Sequence, residues 1–129
     1  MRVFIADDSK AILDRLRALF SEFDEVEVVG EAAAGAEALE SIMRVQPDVV
    51  ILDIQMPLGN RISVLEAIRK ANPDVLVIML TNYPFPQYEK RCRTAGADFF
   101  LDKSGQFHEI TSILNAMLHG EKYGLADRK

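Results

Sequence analysis

A chain of 129 residues that is 49% hydrophobic and 27% charged has room for one domain with a real core, and its composition disfavours both disorder and membrane spanning. A formal net charge of -5 leaves no basic field to hold a phosphate backbone, so direct nucleic-acid binding is not expected. Cys92 is the sole cysteine, which precludes an internal disulfide and is compatible with a reducing compartment.

Residues 2–6 read as a first apolar strand, stopped by Asp7, Asp8 and Ser9, which favour turns and helix N-caps. The acidic pair cuts this run off too early for a signal-peptide core. No later run approaches membrane-spanning length, so a cytoplasmic protein is expected. A helix follows, because Ile12, Leu16, Leu19, Phe20 and Phe23 recur at helical spacing opposite Asp14, Arg15, Arg17 and Glu22. Residues 26–30 form a second strand, and an alanine-rich helix over residues 35–45 presents Leu39, Ile42 and Met43. Gln46 and Pro47 break that helix. The β-branched run 49–52 is a third strand, buried on both faces; it ends on Asp53, and Pro57 cannot extend a ladder. Gly59 and Asn60 predict a turn before a helix carrying Val64, Leu65 and Ile68, which Asn72 and Pro73 end.

Residues 75–80 repeat the pattern of the third strand, an apolar run finishing on a polar residue, here Thr81. Pro84 and Pro86 delay the next helix; Pro86 suits a first helical position, Tyr88, Cys92 and Ala95 form the inward stripe, and Gly96 is the stop. Residues 97–101 make a short fifth strand before Asp102, Lys103 and Ser104. A last helix places Ile110, Ile113, Leu114, Met117 and Leu118 on one face, with Gly120 and Gly124 as terminators. Five strands alternating with five helices imply an α/β fold, a doubly wound parallel sheet with right-handed crossovers. Residues 1–120 are expected to form this domain and residues 121–129 a short, fraying tail.

In such a sheet the carboxyl ends of all strands lie on one edge, where Asp7, Asp8, Asp53, Thr81 and Lys103 should converge. Two carboxylates about 4 Å apart repel by about 4 kcal/mol at the effective dielectric near a protein surface. Three carboxylates less one ammonium leave two negative charges, matching one hard divalent cation; Mg²⁺ is the natural choice because it takes one or two carboxylates plus waters and a substrate phosphate. Each group has a plainer use: Asp8 or Ser9 as a helix cap, Thr81 bonding its own backbone, Lys103 as a surface lysine. Joint placement on one edge is what favours a site.

With these residues assembled, the chain resembles the receiver domains of bacterial two-component response regulators. The resemblance spans residues 1–118 and rests on Asp7-Asp8 after the first strand, Asp53 with Met56-Pro57 after the third, Leu80-Thr81 after the fourth, Ala95-Gly96-Ala97-Asp98, and Lys103 after the fifth. It implies a flavodoxin-like sheet in strand order 2-1-3-4-5. It also implies that Asp53 is a phosphoacceptor, taking a phosphoryl group from a sensor histidine kinase, a histidine phosphotransfer protein or a small phosphodonor. Asp8, Asp53 and the backbone carbonyl of Gln55 would hold Mg²⁺, with Asp7 acting through water. Lys103 would pair with one phosphoryl oxygen and Thr81 with another, while Phe100 follows Thr81 as the switch towards a downstream protein target; alternation alone leaves plain core packing equally open for Phe100. Such a protein is not an enzyme but promotes its own phosphorylation and dephosphorylation.

Departures from the family pattern carry their own expectations. Arg61 stands where a glycine is usual four residues after the proline, so the loop there is shifted or reshaped. Asn82 follows Thr81 in place of a small residue and, with Gln55, flanks the path of attacking water, which predicts a long-lived phosphoryl group. Ser104 replaces the proline that often follows the lysine, and the aromatics of Tyr83-Pro84-Phe85-Pro86 suit either a docking surface or ordinary loop packing. Three other readings compete with a stand-alone switch or phosphoryl shuttle. One is the receiver of a longer DNA-binding regulator. Another is a Mg²⁺-dependent phosphatase with Asp53 as nucleophile, which in the haloacid dehalogenase-like pattern wants a carboxylate where Gln55 stands. The third, a flavin domain, lacks a phosphate loop after the first strand.

Overall fold

The computed structural model describes residues 1–33, 35–54 and 58–119. Five parallel strands, β1 (Arg2–Ala6), β2 (Glu27–Ala32), β3 (Val49–Ile54), β4 (Leu76–Thr81) and β5 (Phe99–Asp102), lie in the order β2-β1-β3-β4-β5. Between and after them run α1 (Lys10–Phe20), α2 (Gly35–Val45), α3 (Leu58–Ala71), α4 (Pro86–Ala95) and α5 (Glu109–Leu118). The chain moves outward from β1 to β2 and then crosses to β3 on the far side of β1. This reversal opens a crevice between β1 and β3 at the carboxyl edge.

Period-two alternation divides the core into two layers. Val3, Ile5, Val49, Ile51, Leu76, Ile78 and Leu101 face α1 and α5, packing with Leu16, Phe20, Ile113 and Leu114. Phe4, Val50, Leu52, Val77, Met79 and Phe100 face the other way, against Ile42, Leu65, Ile68 and Cys92 of α2, α3 and α4. With both faces covered, the inner strands β1, β3 and β4 can carry continuous apolar runs, whereas the edge strand β2 carries Glu27 and Glu31 and stays partly exposed.

The element order agrees with the sequence reading, and the differences are local. Strands β2, β4 and β5 sit one or two residues later than their apolar runs suggested. Helix α3 already includes Gly59 and Asn60, so these residues are not a turn; in a first helical turn the backbone N–H groups lack intrahelical partners anyway, which lessens the cost of poor helix formers. Phe23 lies beyond α1, and the buried stripe of that helix is Leu13, Leu16 and Phe20. Met43 on α2 is 48% exposed, not inward. Pro86 opens α4 as expected, and Gly96 closes it at φ 122, a conformation that L side chains rarely adopt. Gly120, Gly124 and the tail 121–129 lie outside the described residues, as do Gln55, Met56 and Pro57. No helix among the described residues is long and apolar enough to cross a membrane.

Candidate functional site

Among the described residues, the buried polar or charged ones are Asp7, Asp53, Thr81 and Lys103. All four stand at the carboxyl edge. The β1–β3 ladder pairs Ala6 with Leu52, so Asp7 and Asp53 follow side by side; the β3–β4 and β4–β5 ladders pair Ile54 with Thr81 and Thr81 with Asp102, immediately before Lys103. Alternation gives Asp7, Asp53 and Lys103 the parity of the α1–α5 layer, whereas Thr81 and Phe100 have that of the opposite layer.

Lys103 Nζ lies 2.8 Å from Asp7 Oδ2 and 2.6 Å from Asp53 Oδ1. These are short ion pairs between buried groups; among the described residues no backbone N–H or hydroxyl reaches Asp7 Oδ2 or either carboxylate oxygen of Asp53. Burial raises the Asp53 pKa above the ordinary aspartate value; the pull of Lys103 opposes it, and the negative charges of Asp7 and Asp8 add to it. For Lys103 burial acts against the charged form, but the contacts with Asp53 and Asp7 outweigh it and hold the pKa above the ordinary lysine value.

Ser9, not Asp8, caps α1: its Oγ accepts the Ile12 N–H at 3.3 Å. Asp7 Oδ1 accepts the Ser9 N–H at 2.8 Å and so ties the cap to the site. Asp8 is exposed and can turn to the same centre: Asp7, Asp8 and Asp53 each offer a carboxylate oxygen within 4.8 Å of the others. This all-oxygen donor set, with buried oxygens that no backbone N–H or hydroxyl reaches among the described residues, fits a hard divalent cation such as Mg²⁺. Gln55, expected to add a carbonyl, falls outside the described residues. The Thr81 hydroxyl does bond locally, accepting the Tyr83 N–H at 2.7 Å, while the Thr81 carbonyl accepts the Lys103 N–H at 2.8 Å.

Phe100 is buried against the α2–α4 layer and borders a cavity of about 280 Å³ shared with Pro84, Glu89, Arg93 and Gln106. Tyr83 and Phe85 are 40% and 47% exposed, and Phe85 meets Tyr88 edge-on at 5.5 Å. Sequence reasoning passed over the turn that carries Lys103. There Asp102 Oδ1 accepts both the Ser104 N–H at 3.0 Å and the Ser104 Oγ–H at 2.9 Å. An Asp two residues before a Ser is a recognised turn signal and could have flagged it.

Comparison with known proteins supplies the context for this geometry. The family model for the response regulator receiver domain matches residues 3–115. The uncharacterized transcriptional regulatory protein YvfU of Bacillus subtilis is 34% identical over 122 residues, covering 95% of this chain and 61% of the relative. The transcriptional regulatory protein DesR of the same organism is 30% identical over 120 residues, 93% of this chain and 59% of its own length. The chain thus spans about six-tenths of the curated relatives it matches. Among solved structures, the response regulator domain of Thermotoga maritima CheB superposes with a TM-score of 0.77 at 28% identity, covering 93% of this chain and 94% of that one. The isolated REC domain of RcsB from Salmonella enterica serovar Typhimurium, solved with phosphomimetic beryllofluoride, gives 0.82 at 25% identity and covers 95% and 91%.

Proposed function

The chain belongs to the response regulator receiver domain family of two-component signalling, and from that premise we propose that Asp53 is its phosphoacceptor. A carboxylate oxygen of Asp53 attacks the phosphorus of a phosphohistidine on a sensor kinase or a histidine phosphotransfer protein. An O–P bond forms, the donor P–N bond breaks, and the electron pair stays on the imidazole nitrogen. Asp8 and Asp53, with the Gln55 carbonyl and with Asp7 through water, are the residues to hold Mg²⁺, which when bound offsets charge on the transferring group. Lys103 moves from its carboxylate contacts to a phosphoryl oxygen. Thr81 exchanges its local bond for another phosphoryl oxygen, and Phe100 fixes the new state by packing behind it.

The observation that carries this reading is the company Asp53 keeps: a buried carboxylate beside Asp7 and 2.6 Å from the only lysine buried among the described residues. The protein acts as a phosphorylation-controlled switch or shuttle in the cytoplasm, passing its state to a downstream protein, and does not turn over an external substrate. The transcriptional regulatory proteins among its relatives favour a second reading, in which the downstream event is transcription. Return of the phosphoryl group to a histidine phosphotransfer protein would mark a shuttle. Incubation with acetyl phosphate tests the core of the proposal: one phosphoryl adduct is expected by intact mass, dependent on Mg²⁺ and absent in Asp53→Asn. An undiminished adduct in that variant would refute it. On the family resemblance, Asn82 and Gln55 should make the adduct persist, and loss within seconds would count against that part.

A further inference from the structure

Lysine is a flexible side chain, and its ammonium is aimed only as well as its backbone is held. Around Lys103 the backbone is held from both directions. Its own N–H donates to the Thr81 carbonyl at 2.8 Å, the last bond of the β4–β5 edge. Beyond it, the Asp102 carboxylate reaches across Lys103 to the N–H and the hydroxyl of Ser104. Gln106 then closes the turn on Asp102: its Oε1 accepts the Asp102 N–H at 3.0 Å, its own N–H donates to the Asp102 carbonyl at 2.8 Å, and its Nε2 donates to Glu109 Oε2 at 2.9 Å. Proline at position 104 would have no N–H to give; the serine that stands there supplies that bond and adds a second through its hydroxyl.

We infer that Asp102, Ser104 and Gln106 form a clasp that positions the Lys103 ammonium over Asp53, and that all three are positioning residues for phosphoryl transfer. The ammonium pairs with Asp7 and Asp53; Asp102 acts on it through the backbone and not as a counter-ion. The clasp also links the lysine to the first turn of α5 through Glu109.

The inference rests on the proposed role of Lys103, and a double-mutant cycle separates the two. Beryllofluoride affinity in excess Mg²⁺ is measured for the full chain, Asp102→Ala, Lys103→Ala and the double variant. A displacement of about 1 Å can cost up to about 10²-fold in a well-aligned site, so loss of the clasp is expected to weaken binding by about tenfold. That loss should disappear in the Lys103→Ala background, where there is no ammonium left to aim. Asp102→Asn keeps the acceptor oxygen without the charge and should restore affinity; Ser104→Ala, which removes only the hydroxyl bond, should give a smaller loss if Asp102→Ala folds poorly. An equal loss with and without Lys103, no loss at all, or failure of Asp102→Asn to rescue overturns the clasp. Unchanged affinity in Lys103→Ala instead overturns the role of the lysine, and the clasp with it.

Discussion

Asp53 sits in an environment that opposes its own charge. Burial and two neighbouring carboxylates raise its pKa against a single ammonium, so the native carboxyl keeps its proton to a higher pH than the unfolded chain's. By linkage, stability contributed by this group falls as pH rises between those two values and stays lower above them. Asp53→Asn should therefore raise the thermal midpoint of metal-free protein near neutral pH, and added Mg²⁺ should narrow the gap. A lower midpoint in the variant under chelation would show that repulsion is not what dominates there. Protons and the cation compete for the same oxygens, so Mg²⁺ affinity measured by titration should weaken as the pH is lowered.

Burial acts on Cys92 in the same direction. It is closed off inside the α2–α4 layer, and desolvation pushes its thiol pKa up to about 11. Native protein should react with a thiol reagent far more slowly than unfolded protein; equal rates would mean that α4 opens readily.

That Asp7, Asp53, Thr81 and Lys103 meet at one edge could be read because the apolar runs of β1, β3, β4 and β5 stop on polar side chains, and parallel strands bring such stops together. The uses of those residues were less legible. Ser9 and Asp8 carry the same cap signal, and only coordinates show that Ser9 takes the cap and leaves Asp8 exposed. The turn at Lys103 depends on rotamers of Asp102, Ser104 and Gln106, which hydrophobic periodicity does not report.

Between elements, Arg69 is the main polar fastening away from the site. From α3 it donates to the carbonyls of Gly96, Pro73 and Val75 and pairs with Asp98 Oδ2 at 2.9 Å, an oxygen that also accepts the Val77 N–H. One guanidinium thus ties the end of α3 to the start of β4 and to the α4–β5 turn. Arg69→Ala leaves several half-buried acceptors without this donor and is expected to cost about 2–3 kcal/mol in chemical denaturation. A cost under about 0.5 kcal/mol would place the pair among weak surface bridges. Gly96→Ala combines positive φ with a Cβ 3.0 Å from the Arg69 side chain and should cost about 1–3 kcal/mol by the same measurement. The inward face of α1 is as the spacing predicts, with Leu16 and Phe20 buried and Ile12 and Leu19 packed against the same core; packing against the sheet and α5 adds Leu13, which the spacing alone did not single out. Helix α3 begins earlier than Gly59 and Asn60 suggested because turn propensity is a weak prior that the whole helix overrides.

At the scale of the molecule, the order β2-β1-β3-β4-β5 converts residues far apart in sequence into neighbours at one crevice. Everything acidic about the site follows from that topology, and so does its need for positive charge. A ligand that binds only the folded state stabilises it by mass action, by about 2.7 kcal/mol at a hundred times its dissociation constant. Mg²⁺ with beryllofluoride should therefore raise the thermal midpoint more than either alone. Additive shifts would indicate that the two do not share a site.

The most direct measurement traps the acyl phosphate where it forms. Protein incubated with acetyl phosphate and Mg²⁺ is reduced with borohydride, which converts a phosphorylated aspartate into homoserine, and the peptides are sequenced by mass spectrometry. Homoserine at position 53 and at no other aspartate, lost when Mg²⁺ is chelated, is the expected result. Homoserine at Asp7 or Asp8, or an unmodified Asp53 in protein that carries phosphoryl groups, would contradict it.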